Sequence, residues 1–457
     1  MNESTTQTTK RFTGCASLAA LGVKLRKLKL FEPIEQQVQI AQKTIKDRPS
    51  DKLSDAFISM LAGAHGLVEI NTRLRADAAL QRAFGRSRCA EQSVVQDTLN
   101  ACTAENVEQM EQAIASIYRQ HSQGYQHDYQ ASFQVLDVDM SGLPCGPKAA
   151  FATKGYFAKQ RNRRGRQLGR VLTSRYGEIV VDRLFDGKTQ LTRALQPLIL
   201  AAEETLQLDE DKRRRSIVRV DAGGGSLDDV NWLLARGYLV HCKDYSGKQA
   251  KRLAKSVVDW YADPHQPERE FGWVTETTQA YVRPVTRIAV RCRKPDGQFA
   301  YGVLISALSA QHVLTLTDQS LSLLADPATV LLAYLTFYDQ RGAGVETSFK
   351  GDRQGLGIGK RSKKRFAAQQ MLMLLGSLAH NVIVWARHWL ASPALHHYGT
   401  LRMVRDVFHV SGFLLTDAFG HVVQIVLNQA APLAPALVLP FRQLLAGAQV
   451  AVNLGQT

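Results

Sequence analysis

No CxxC pair occurs among the six cysteines, Cys15, Cys89, Cys102, Cys145, Cys242 and Cys292, which lie far apart along 457 residues. Disulfide frameworks and zinc clusters need cysteines at close, patterned spacing, so neither is expected, and a reducing cytoplasm suits the chain. The N-terminus lacks the basic-then-apolar pattern of a secretory leader. Acid is in short supply: 41 Asp+Glu face 57 Lys+Arg, a formal net charge of +16. That balance points to a polyanionic partner, nucleic acid before an anionic membrane. An uninterrupted apolar span is missing too. The longest candidate, Phe366 to Leu390, is punctuated by Gln369, Gln370, His380, Asn381, Arg387 and His388. It reads as a helix inside a large core, not a membrane crossing, and no membrane partner is expected.

What is present is ordinary globular composition, 45% hydrophobic and 21% charged, long enough for two to four domains. The polar opening, MNESTTQTTK, carries no periodicity and is expected to lack order over the first dozen residues. From about residue 33 to 130, apolar positions recur at helical spacing, with Pro33 and Pro49 as the only prolines. Thr103 and Ser54 are candidate helix starts. The texture changes at Ala131. ASFQVLDVDMSGLP and GRVLTSRYGEIVVDRLF read as strands, LTRALQPLILAAEETL as a helix, and SIVRVDAGGGSLDDVNWLLARGYLVHCKD as strand, glycine loop, helix, strand. Such alternation implies a mixed α/β layer with a crossover helix. QAYVRPVTRIAVRCRKPDGQFAYGVLISAL is a hairpin turning at KPDGQ. Helical pattern returns at PATVLLAYLTFYDQR and runs to about Leu390; HVSGFLL and GHVVQIVL form a second hairpin, followed by the apolar helix PFRQLLAG.

Three carboxylates stand out. Asp137 and Asp139 alternate in VLDVDMS and therefore share one strand face. Asp221 closes IVRVD ahead of Gly223, Gly224 and Gly225. Ligands of α/β sheets gather at the carboxyl ends of strands, where these aspartates fall. Glu346 is a lone acid in the basic, glycine-rich stretch YDQRGAGVETSFKGDRQGLG. Three carboxylates can hold a pair of Mg²⁺ ions when phosphate and water complete the shells, and such a pair cleaves phosphodiesters. Blander roles fit each residue as well. A strand-end aspartate caps turns, the glycine triplet lacks the Lys-Ser/Thr of a phosphate loop, and Glu346 with Lys350 makes an i,i+4 helix pair worth about 0.2–0.5 kcal/mol.

Around Tyr338, Arg341 and Glu346 the sequence resembles the bacterial insertion-sequence DDE transposases that carry a Tyr-Arg-Glu-Lys signature. LDVDMSGLP, VRVDAGGGS and the apolar helix with His380 and Asn381 match further elements of that group. Asp139 and Asp221 are 82 positions apart, and Asp221 and Glu346 are 125 apart, an interval long enough for the group's β-rich insertion. The resemblance covers roughly Ala131 to Leu390. It implies an α/β RNase H-like catalytic core, a mixed sheet flanked by helices, interrupted by a β-rich insertion and preceded by an all-α N-terminal domain. The implied division is a helical DNA-binding domain over 1–130, core halves at 131–245 and 329–395, the insertion at 246–328, and a C-terminal segment, 396–457, that supports oligomerisation. Asp139, Asp221 and Glu346 become the catalytic, metal-binding triad for two Mg²⁺ ions, which Mn²⁺ can replace. Ser141, two positions on, favours Asp139 over Asp137. Tyr338 and Arg341 would contact the element end. Two departures stand: four residues, not three, separate Arg341 from Glu346, and the signature lysine is Arg353, with Lys350 as alternative.

Two basic runs, 158–170 and 358–367, extend the expected DNA surface through Arg161, Arg163 and Arg164 and through Lys360, Arg361, Lys363 and Lys364. Trp232, Trp260 and Trp273 could stack on a base, with core packing the plainer role, and His241 is expected to be a packed histidine. The implied activity is Mg²⁺-dependent cleavage at insertion-sequence ends and strand transfer into target DNA. Its partners are double-stranded terminal inverted repeats and target DNA, bound by a homodimer in the bacterial cytoplasm. The alternatives are an RNase H-like nuclease without strand transfer and a catalytically inactive DNA-binding derivative.

Overall fold

The structure, a computed structural model, describes residues 8–43, 46–157, 160 and 162–456. Arg161, expected on the DNA surface, lies outside the described residues. The chain forms two compact units, one of Met1–Ser122, Leu143–Arg166 and Ser348–Thr457, the other of Gln123–Gly142 and Gln167–Thr347.

The second unit is a mixed sheet with flanking helices. Its strands are β1 (Gln134–Pro144), β2 (Arg164–Thr173), β3 (Glu178–Asp186), β4 (Ser216–Val220), β5 (Leu239–Lys243), β6 (Tyr261–Asp263), β7 (Gln266–Trp273), β8 (Thr286–Arg293) and β9 (Phe299–Ser306). The order is β2-β1-β4-β5-β9-β8-β7-β6, with β3 beside β2. β1, β4 and β5 are parallel; β9, β8, β7 and β6 continue antiparallel. Parallel neighbours need crossovers, and here the helices Leu191–Leu206 and Leu227–Ala235 supply them. Val135, Ile217, Leu239, Phe271, Ile288 and Leu304 present one face to Val330, Leu331, Tyr334 and Phe337 of the helix Pro327–Arg341. Period-two apolar strands thus meet a period-3.6 helix across one core. The β8–β9 hairpin turns through Gly297 at φ +79°, as KPDGQ leads one to expect.

In the first unit, the 25-residue helix Phe366–Leu390 packs against helices Pro49–Leu61, Gln92–Ala101 and Ala104–His121. It is long and apolar enough to cross a membrane, yet 89% of its most apolar window is buried within the protein. Its His380 meets the buried Asp352 at 2.7 Å. Thr103 caps Ala104–His121, exchanging bonds with Asn106, whereas Ser54 lies inside a helix that starts at Pro49. Pro49 has no N–H to offer and suits that first position. The expected disorder of the opening fails at Thr9. Thr9–Thr13 is a strand antiparallel to Gly412–Thr416, in a sheet continued by Val422–Asn428 and Ala451–Gly455. As the edge strand of that sheet it pairs on one side with a segment from the far end of the chain, which local composition does not signal.

Candidate active site

The site is built on two rungs of the parallel pair β1 and β4. On the lower rung Asp137 faces Arg219, both fully buried, with Nε to Oδ1 at 2.6 Å and Nη2 to Oδ2 at 3.0 Å. Arg219 also donates to Ser174 Oγ at 3.0 Å and to the Phe337 carbonyl. A buried carboxylate with a bidentate guanidinium partner is committed to that pair. Asp137 is therefore spent on structure.

Two positions further on, Asp139 continues β1 on the same face as Asp137, and Asp221 directly follows the last residue of β4. Asp139 Oδ1 accepts from the Met140 amide at 2.7 Å, and Asp221 Oδ1 from the Gly223 amide at 2.8 Å. The glycine loop after Asp221 has a local cause. A Cβ on Gly225 would sit 1.9 Å from the Lys243 carbonyl, so this loop passes β5 too closely for any side chain.

Glu346 arrives from the helix side. Pro327–Arg341 does not run straight into Thr347–Gly355; Gly342–Glu346 winds as a π-helical turn. A π turn absorbs one extra residue, so the four residues between Arg341 and Glu346 leave both on one side. Arg341 Nη1 donates to Glu346 Oε1 at 2.8 Å, and its Nη2 lies 3.1 Å from Asp139 Oδ2. Gly344 fits because a Cβ there would reach Asp137 Oδ2 at 2.7 Å.

Charge crowding marks the place. Burial pushes the Asp139 carboxyl up to about 6; nearby Asp221 and Glu346 add to the rise, against Arg341 and the Met140 amide. Burial opposes the charge of Arg341, but Asp139, Asp221, Tyr338 and Glu346 together outweigh it and hold its pKa above the ordinary value. Tyr338 is half-buried against His241, ring centroids 6.0 Å apart, and burial raises its hydroxyl pKa. His241 is fully enclosed, bonded to Ser306 Oγ at 3.0 Å and the Tyr334 carbonyl at 3.1 Å.

Three carboxylates are the hard oxygen donors that a small divalent cation takes, so the chemistry of the set fits one. The arrangement is another matter. Among the described residues no three acidic, imidazole or thiol groups are drawn close enough to hold an ion. The cation between Asp139 and Glu346 is the guanidinium of Arg341.

The expected DNA-facing cations divide by burial. Arg163, Arg164, Lys350, Arg353, Lys360 and Lys364 are exposed. Arg361 is not: it is 2% exposed, with its guanidinium turned to the carbonyls of Leu356 and Ala64. Burial lowers its pKa to about 10. It is a structural arginine, a correction to its expected place on phosphate. Lys363 is half-buried and donates to Gln96. Arg166, which sequence reasoning passed over, is fully buried and holds the carbonyls of Ala150, Lys363 and Lys364, fastening the second basic run from below. Trp273 packs edge-on to Tyr334, while Trp260 and Trp232 lie under Arg291 and Arg236 at 4.1 and 5.1 Å. Arg219 was also missed, though a charged residue inside the apolar run IVRVD is a visible irregularity.

No family model matches the chain, and no curated protein matches it. Among solved structures, it is similar to the piggyBac transposase of a cryo-EM synaptic complex with hairpin DNA, at TM-score 0.44 and 12% identity over 84% of this chain and 79% of that one. A likeness of that size assigns nothing here.

Proposed function

We propose that this chain is a DNA transposase: it cleaves phosphodiester bonds at the ends of its element and joins them to target DNA. One observation carries the reading. Asp139, part-way along β1, and Glu346, at the end of the π turn, hold one cation, Arg341, between them at 3.1 and 2.8 Å, and Asp221 directly follows β4, the strand paired with β1. The mixed sheet with its parallel centre would be the RNase H-like core, interrupted after β5 by the antiparallel strands.

Asp139, Asp221 and Glu346 would hold two Mg²⁺ or Mn²⁺ ions. Bound ions would supply an activated attacking oxygen and stabilise the leaving one. The protein's own part is placement. The Asp137–Arg219 rung fixes β1 against β4, and the Phe337 carbonyl joins the helix to that rung. Tyr338 and Arg341 would align the scissile backbone, and Lys350, Arg353, Lys360, Lys364, Arg163 and Arg164 would carry flanking phosphates. A homodimer pairing two element ends in a bacterial cytoplasm completes the proposal.

The test uses labelled DNA flanking the reading frame together with a target plasmid. Asp139→Asn, Asp221→Asn and Glu346→Gln should each lower cleavage by about 10³-fold or more while leaving end binding intact. Retained cleavage in all three variants would overturn the assignment. Cleavage by the unaltered protein without joined product would make it a nuclease.

A further inference from the structure

Arg341 sits where a shared cation would be expected. It is 4% exposed, bonded to Asp139 on one side and to Glu346 on the other. Its Nε–H, equally buried, has no acceptor. A buried donor left unpaired is costly, so this seat does not satisfy the guanidinium fully. Its two bonds also differ in firmness: Asp139 is largely enclosed, whereas the Glu346 side chain is 56% exposed. The chain just beyond Arg341 is a π turn with glycines at 342 and 344, a form of helix that recurs at functional sites.

We propose that Arg341 is the resident counter-cation of the acidic set in the metal-free protein, and that it exchanges this seat for a DNA phosphate, so that divalent-ion uptake waits on DNA. The proposal rests on the reading of Asp139, Asp221 and Glu346 as metal ligands. A guanidinium between two carboxylates occupies their inward oxygens and repels an incoming cation. A phosphodiester offers it two acceptor oxygens in the fork geometry that a single carboxylate oxygen on each side cannot, including one for Nε–H. Once it turns to phosphate, Asp139 and Glu346 are free for the ions. No bond is made or broken in the exchange. Cleavage is thereby confined to ions loaded on bound DNA.

The test measures Mn²⁺ binding to the full-length protein by the electron-paramagnetic signal of free Mn²⁺, with and without a short duplex, independent of turnover. Arg341→Gln should bind Mn²⁺ at least about tenfold more tightly than the unaltered protein without DNA, because no fixed charge then competes for the carboxylates. Adding duplex should tighten binding to the unaltered protein and leave Arg341→Gln little changed. Equal or weaker binding by Arg341→Gln overturns the gate. Should that variant not fold, Arg341→Lys decides: a single ammonium cannot bond both carboxylates as the fork does, so a smaller gain is expected, and no gain overturns the gate. Adding Asp139→Asn to the tight-binding variant should abolish Mn²⁺ uptake. If uptake persists there, the ion binds elsewhere and the carboxylate assignment falls together with the gate.

Discussion

Arg341 and Glu346 stand five positions apart and still meet at 2.8 Å, because the chain between them takes a π turn in place of an α turn. In a straight α-helix a five-residue step rotates the second side chain well past the first. The extra residue is thus absorbed locally, and the pairing of cation and carboxylate is kept.

The two glycines of that turn should respond in opposite ways to alanine. At Gly344 a Cβ would press on Asp137 Oδ2 at 2.7 Å, and Gly344→Ala should cost about 1–3 kcal/mol in urea unfolding. At Gly342 the nearest atom is Glu346 Oε2 at 3.9 Å, and φ is an ordinary −62°. Gly342→Ala should be neutral or stabilise by up to about 1 kcal/mol.

The Asp137–Arg219 pair should behave as a buried pair does. Arg219→Met leaves a carboxylate enclosed without its partner and should cost about 3–5 kcal/mol. Adding Asp137→Leu to it should restore most of the loss, since an apolar pair of similar size can replace a buried ion pair. A double-mutant cycle by denaturant unfolding reads both effects. Additive losses would mean that the pair is not coupled as its geometry requires.

His241 should contribute to acid unfolding. Burial lowers its pKa to about 3, with Arg219 adding to the fall against the bond to the Tyr334 carbonyl. The folded value is below the unfolded one near 6.5, so below that pH the unfolded chain takes up a proton that the folded chain refuses. Stability should fall by up to about 1.4 kcal/mol per pH unit from about pH 6.5 towards 3. His241→Phe should lose the bonds to Ser306 and Tyr334 at all pH values, yet show a flatter decline over that window in pH-dependent melting.

Exposed and buried cations should separate in salt titrations of DNA binding. Replacing Lys350, Lys360 and Lys364 by Gln should reduce the slope of log affinity against log salt by about 0.9 for each phosphate contact removed. Arg361→Gln should leave the slope unchanged and instead lower stability by about 1–3 kcal/mol, because the carbonyls of Leu356 and Ala64 lose their donor. A changed slope in Arg361→Gln would contradict its placement.

Most elements were legible because their signals are local. Alternating apolar residues in VLDVDMS and IVRVD mark strands, LTRALQPLILAAEETL is a helix over its whole length, and KPDGQ turns the hairpin it names. The strand at Thr9–Thr13 was not legible. TKRFT is polar, and only its distant partner makes it a strand.

The sequence by itself determined that Asp139 lies on a strand, that Asp221 follows one and that Glu346 follows a helix, since apolar periodicity and chain direction fix those positions. That β1 runs on past Asp139 to Pro144, so that this aspartate does not close its strand as expected, appeared only in the fold. Why one aspartate of VLDVDMS is left for the site and the other is not was decided by the fold. Apolar periodicity treats Asp137 and Asp139 alike and only the resemblance, through Ser141, favours Asp139; the physical difference is Arg219, brought beside Asp137 from 82 positions away. The same holds for the basic run at 358–367. Its composition reads as solvated charge throughout, but burial of Arg361 depends on carbonyls from other parts of the chain. Periodicity records which face of an element turns inward; which partner waits there is a property of the packed chain.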